Sequence, residues 1–284
     1  MNRHRSQSDF LNHLSRMLQM CRLGDPELLQ FWRGLPRDTE GRWEKYHRLA
    51  PHYFAGYMPK PRRLVSDFRF MKANIRGAIF LLRSIPKIEK GMNDDEFLSW
   101  FTALHKKQTF TPGMSGKILT IQITNQRAHT PMVIDDVVKK ALLYGDKYRP
   151  LGTRILFLPG IARNGLPKDV WVNKSVAHIY PHPRYYPDYL HMINLTLTHA
   201  VKRVHRRLPL NRKLENFARF YQYCVNARMF IKTNHSLALN VCNTLLRELG
   251  LKGIESGIID FVAMRLSPKN FARFFIEEAH RVNP

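Results

Sequence analysis

The stretch KLENFARFYQYCVNARMFIKTNHSLALNVCNTLLRELGL, residues 213–251, decides how this chain is read. Leu214, Phe217, Phe220, Tyr221 and Cys224 recur at the helical period, and Leu237, Val241, Leu245 and Leu249 do so again after a gap. Arg228 to His235 reads as a short connection, with the second helix opening at Asn234-His235-Ser236 and stopped by Gly250. The predicted pattern is helix, short loop, helix. A helix start exposes N–H groups without intrahelical partners and the positive end of the macrodipole, which suits an anion. Arg228 and Lys232 sit in the same loop. Taken alone, the plainer reading is that Asn234 or Ser236 is an N-cap, since every helix has a start.

Outward from this stretch the same period returns. Ser8 or Asp9 can cap a helix through Phe10, Leu14, Leu18 and Cys21, and Asp25-Pro26-Glu27 opens a second through Trp32. Residues 34–63 are rich in Pro, Gly, Arg and aromatics and read as an irregular connection. Val65 to Arg83 is helical, with Ile75, Ile79 and Leu82 opposite Lys72, Arg76 and Arg83. Asn93-Asp94-Asp95-Glu96 starts a helix through Phe97, Trp100, Phe101 and Leu104. Ile118 to Thr124 reads as a short strand or a helix start, and Asp135-Asp136 begins a helix ended by Gly145. Thr153 to Leu158 and Val170-Trp171-Val172 are strand-like runs around Asn164-Gly165, a β-hairpin signal in a helical chain. A helix follows through Leu190, Ile193, Leu197 and Val201, then a further segment around Ile258 to Met264, then a helix from Ser267-Pro268 through Phe271 and Phe275. The fold class read here is mainly α.

Composition bounds the rest. The chain has 284 residues, 44% hydrophobic, with 46 Lys and Arg against 22 Asp and Glu, a formal charge of +24. The apolar fraction excludes disorder along the whole length, and a chain this long can bury a core without disulfide staples. Cys21, Cys224 and Cys242 make neither a disulfide framework nor a cysteine zinc site, which points to a reducing compartment. No apolar run reaches the length of a transmembrane helix, and the basic start Met1 to Arg5 is not followed by a signal-peptide core. The charge favours anionic partners without choosing among them.

Common catalytic motifs are absent: no GxxxxGK[ST], no GxGxxG after a strand, no HExxH and no GxSxG. His178, His182, His191, His199 and His205 lack the spacing of a compact metal site, so no metal is assigned.

One family carries the central stretch. Residues 234–251, NHSLALNVCNTLLRELGL, resemble the helix that follows the signature loop of Fic (Fido-fold) proteins. Asn234 matches the asparagine of their HPFx[DE]GN[GK]R motif, Phe230 its phenylalanine, and Ala238, Asn243, the leucine pair and Gly250-Leu251 the downstream spacing. The aromatic helix Phe217 to Cys224 resembles the family's preceding helix, and the similarity covers about residues 135 to 265. It implies a Fido-like helical core over 111–284 with an N-terminal helical extension over 1–110, or one continuous domain. It implies also that the hairpin at 153–173 is a target-docking flap whose Ile155, Leu156, Phe157 and Leu158 align a protein target by strand addition.

The departures bear on chemistry. Arg228 stands where the family has its catalytic histidine, and a guanidinium cannot accept a proton from an attacking hydroxyl. Lys232 replaces the acid that holds Mg²⁺, so Mg²⁺ is not expected at this loop. Thr233, His235 and Ser236 replace two glycines and an arginine, so ordinary AMP transfer is not expected. Two readings remain. Arg228, Lys232, Asn234, His235 and Ser236 bind the phosphates of ATP or another nucleotide-type ligand, with side-chain charge in place of metal and His235 as the only nearby candidate base. The divergent AvrB-like effectors, which lack the motif and keep the fold, are the parallel. Otherwise the site is a pseudoenzyme scaffold. The first reading leads to a nucleotidyl- or glycosyl-type transferase acting on a protein. The resemblance implies a bacterial cytoplasmic protein or an effector delivered into a host cell without a Sec signal. No inhibitory [ST]xxxE[GN] helix is evident.

The rival is a non-catalytic binder of nucleic acid or of an anionic surface. It rests on the net charge and on the basic clusters Lys60 to Arg63 and Lys202 to Lys213, with Tyr53, Phe54, Tyr57, Phe68 and Phe70 beside the first as base-stacking candidates. No nucleic-acid motif supports specific readout.

Overall fold

The computed structural model describes residues 64–109, 113–118, 120, 124–127, 168–172, 175–179, 183–254 and 259–284, with Leu11, Asn12 and Ser15. Among them stand seven α-helices: α1 (Leu64–Lys90), α2 (Asp94–Gln108), α3 (Tyr186–Val204), α4 (Leu210–Ala227), α5 (Asn234–Glu248), α6 (Ile259–Arg265) and α7 (Pro268–Arg281). The protein is mainly α. Three strands, β1 (Thr124–Arg127), β2 (Lys168–Val172) and β3 (Ser175–Ile179), form an antiparallel sheet in the order β1-β3-β2.

α4 is the central helix. From Leu214 to Ala227 only Glu215 and Arg219 escape burial, so its second half is enclosed on every side, as a helix at the middle of a core must be. It packs against α3, α5, α6 and α7, while α1 and α2 close on each other and on α3, and α1 also on α5. The apolar stripes of α1 and α2 belong to the same core as those of α4 and α5, with Phe97, Phe217, Phe220, Phe230, Phe271 and Phe275 all but fully buried. That cluster crosses the expected boundary at residue 110.

Local signals in the sequence account for the starts of α2 and α7. Asn93 caps α2 reciprocally: its Oδ1 accepts from Glu96 N–H at 2.9 Å, and Glu96 Oε2 accepts from Asn93 N–H at 3.1 Å. Ser267 caps α7 ahead of Pro268. α1 runs past the expected end at Arg83 to Lys90, with Pro86 inside it. Ile85 and Ile88 continue the buried stripe, and that burial outweighs the backbone bond lost at the proline.

The hairpin reading changes in its partner. Val170 to Val172 lie in β2, whose register is to β3 (Val170 opposite Ala177, Trp171 opposite Val176). The first expected arm, with Ile155 to Leu158, and the helix expected from Asp135 lie outside the described residues. Of the Ile118–Thr124 segment, Ile118 makes an isolated antiparallel bridge to Phe230 and Thr124 opens β1.

Buried amides fasten loops to helices. Asn243 Oδ1 accepts from Ile254 N–H at 2.8 Å while its Nδ2 donates to Ile254 O at 3.0 Å. Gln222 Nε2 donates to Ala263 O and Leu266 O, satisfying carbonyls at the end of α6.

Candidate functional site

The loop between α4 and α5 leaves the most enclosed part of the core. Its two hinge residues, Arg228 (φ 43°) and Thr233 (φ 71°), are left-handed without being glycine. A β-branched residue in that region costs on the order of 1–3 kcal/mol, so the surroundings must hold it there. Three sets of bonds do so.

Asn234 supplies the first. Its Oδ1 accepts from Phe230 N–H at 2.9 Å and its Nδ2 donates to Phe230 O at 2.6 Å, so the side chain closes the loop on itself. The second comes from the strand-like segment before β1: Ile231 N–H donates to Lys117 O at 3.2 Å, next to the Ile118–Phe230 bridge. The third comes from α2. His105 is fully buried, its ring stacked on Phe230 with centroids 4.0 Å apart. Gly116 N–H donates to His105 Nδ1 at 2.9 Å, so Nδ1 carries no proton, and Nε2–H donates to Lys232 O at 2.9 Å. Burial holds His105 below the ordinary imidazole range, against the pull of the Lys232 carbonyl, which keeps it neutral. Gln108, one turn on, donates from Nε2 to Ser236 O at 2.8 Å and accepts at Oε1 from Asn240 Nδ2 at 3.1 Å. The backbone from Phe230 to Ser236 is thereby fixed from α2.

The N-cap expectation is corrected here. Thr233 is the N-cap of α5, and no side chain caps it. Asn234 is turned back to Phe230, and Ser236 Oγ donates to Thr233 O at 3.3 Å. A left-handed N-cap aims its side chain away from the first-turn N–H groups, which explains the missing bond.

Of the five residues expected to meet phosphate, the structure brings all into this loop and its first helical turn. Lys232 is exposed. Arg228 is half-buried at the end of α4 and close enough to Tyr186 to temper its phenol, which burial pushes up to about 12. His235 Nδ1 meets the hydroxyl of the buried Tyr221, the rings edge to face. Asn234 commits its side chain to the loop, leaving one Nδ2 hydrogen. Ile155, Leu156, Phe157 and Leu158 lie outside the described residues, as do Lys60 to Arg63 and Tyr53, Phe54 and Tyr57.

Sequence reasoning missed His105 and Gln108. Both fall at the end of the stripe Phe97, Trp100, Phe101, Leu104, and a polar residue on the apolar face of a helix was the available signal. The second basic cluster is real as a surface: Arg206, Arg207 and Arg212 are exposed around the turn joining α3 to α4, while Lys213 Nζ donates to Val204 O at 2.8 Å. Among the described residues no three His, Cys, Asp or Glu side chains are gathered as for a metal ion, and no helix is long and apolar enough to cross a membrane. Searched against known proteins, the chain matches no family model and no curated protein.

Proposed function

We propose that the loop between α4 and α5 binds the phosphates of a nucleotide-type ligand, and that the protein is a divergent, Fic-like factor acting on or binding another protein. The observation that carries this reading is the pinned backbone from Phe230 to Ser236. It ends in a helix start with no side-chain cap, and Arg228, Lys232 and His235 stand within a few residues of it. Fixed N–H groups beside two cations lower the reorganisation needed to bind an anion. Lys232 at the place of a metal-holding acid favours binding without Mg²⁺.

Transfer chemistry, where it occurs, falls to His235. For Nε2 to accept a proton from an attacking hydroxyl, Nδ1–H must donate to the Tyr221 oxygen, which fixes the tautomer and steadies the imidazolium formed. AMP transfer of the ordinary kind is not part of the proposal. Titration calorimetry with ATP and with nucleotide sugars, in EDTA, tests the reading. Wild type should bind one of them, and Arg228→Ala and Lys232→Ala should each weaken it by roughly ten-fold, the value of one charge-assisted contact. No binding at about millimolar ligand, roughly −4 kcal/mol, would sink it.

A further inference from the structure

A groove runs between α4 and α7 with Met192 of α3 at its edge, and no residue of the 228–236 loop lines it. Its volume is about 1170 Å³. α4 contributes Arg212, Glu215, Arg219 and Tyr223 to its lining, and α7 contributes Lys269, Arg273, Ile276 and His280. The α4 part of the lining extends over about three helical turns, roughly 16 Å.

The floor is apolar: Met192, Tyr223, Ala272 and Ile276. Gln222, the polar group at the bottom, already spends its amide on α6 carbonyls. Along the lining, Arg212 pairs with Glu215 at 3.4 Å and Arg273 with Glu277 at 3.1 Å. Arg219 and Lys269 are left, one per helix and both exposed, with no ion pair among the described residues. The positive field extends to α3. Burial first, and then Arg203, Lys202 and Arg219, push the His199 imidazole below its ordinary value.

We infer that this groove receives an acidic amphipathic helix of a partner protein, its apolar face on Met192, Tyr223, Ala272 and Ile276 and its carboxylates on Arg219 and Lys269. Nucleic acid fits less well. The apolar lining of Met192, Tyr223, Ala272 and Ile276 has no counterpart in a phosphate backbone, whereas an amphipathic helix covers it with its apolar face and still presents carboxylates to Arg219 and Lys269.

The test uses the full chain and fluorescence anisotropy with a labelled synthetic peptide of about 16 residues, Leu and Glu on opposite helical faces. A scrambled peptide of equal composition controls for charge. The amphipathic peptide should bind about ten-fold more tightly than the scrambled one, and Arg219→Glu should remove about ten-fold, with Lys87→Glu on α1 as the charge control. Ala272→Trp, which fills the floor, should weaken binding equally; Ile276→Glu serves as the second floor variant, and circular dichroism checks each fold. Equal affinity for both peptides, or affinity unchanged in the folded floor variants, overturns the inference. So does a single-stranded oligonucleotide whose binding, unlike the peptide's, is lost in Arg219→Glu and in the floor variants; that outcome assigns the groove to nucleic acid.

Discussion

His105 joins α2 to the Gly116 turn, 11 residues on, and to the Lys232 carbonyl, 127 residues away. Removing the ring leaves a backbone N–H and a carbonyl without their partner and opens a void beside Phe230. His105→Ala should therefore cost about 2–4 kcal/mol in urea denaturation. The same ring makes stability depend on pH. The folded state keeps it neutral, with its pKa below the ordinary 6.5, whereas the unfolded chain takes up a proton near that value. Stability from this residue is thus complete above about pH 6.5 and is lost as pH falls below it. Urea melts at about pH 7.5 and pH 5.5 should show wild type losing more than His105→Ala does. An equal loss in both would place the acid sensitivity elsewhere.

At the scale of elements, the contact of α1, α2 and α5 depends on a glycine. A Cβ on Gly77 would lie 2.8 Å from Gln108 Oε1 and 3.1 Å from Asn240 Nδ2, side chains that tie α2 to Ser236 and α5 to Asn74 O. Alanine gains about 1 kcal/mol of helix propensity over glycine, but here it must push apart two buried, bonded amides. Gly77→Ala should be destabilising by about 1–3 kcal/mol in thermal melts, against its propensity. Much of this architecture could be read from sequence, because apolar period and capping residues are local. The helices α2 to α5 and α7 fall where Asn93, Ser267 and the stripes at Phe97, Leu190, Phe217 and Leu237 put them. What pins the loop could not be read so. His105 and Lys232, or Gln108 and Ser236, are more than a hundred residues apart, and a hydrogen bond across that distance leaves no period in the chain. The cap of α5 escapes the sequence for a related reason: Asn234 and Ser236 both fit an N-cap by residue type, and only the left-handed Thr233 puts the helix start one residue earlier.

For the molecule as a whole, α1 and α2 belong to the same core as α4 and α5, so the site's support is spread over both halves of the chain. A fragment of residues 111–284 would keep the whole loop but lose Phe97, Phe101, Leu104, His105 and Gln108 from around it. It should show poor amide dispersion in NMR and no cooperative melt, whereas a fragment with native dispersion would show that the second half stands alone. The left-handed pair, Arg228 and Thr233, is held in place from α2 and from the segment before β1. A backbone fixed by remote partners takes little of its shape from the side chains it displays. The exposed Lys232, whose carbonyl and not its side chain is what His105 holds, can therefore be exchanged while the scaffold stands, whereas position 228 is narrowed by its left-handed backbone and position 235 by its bond to Tyr221.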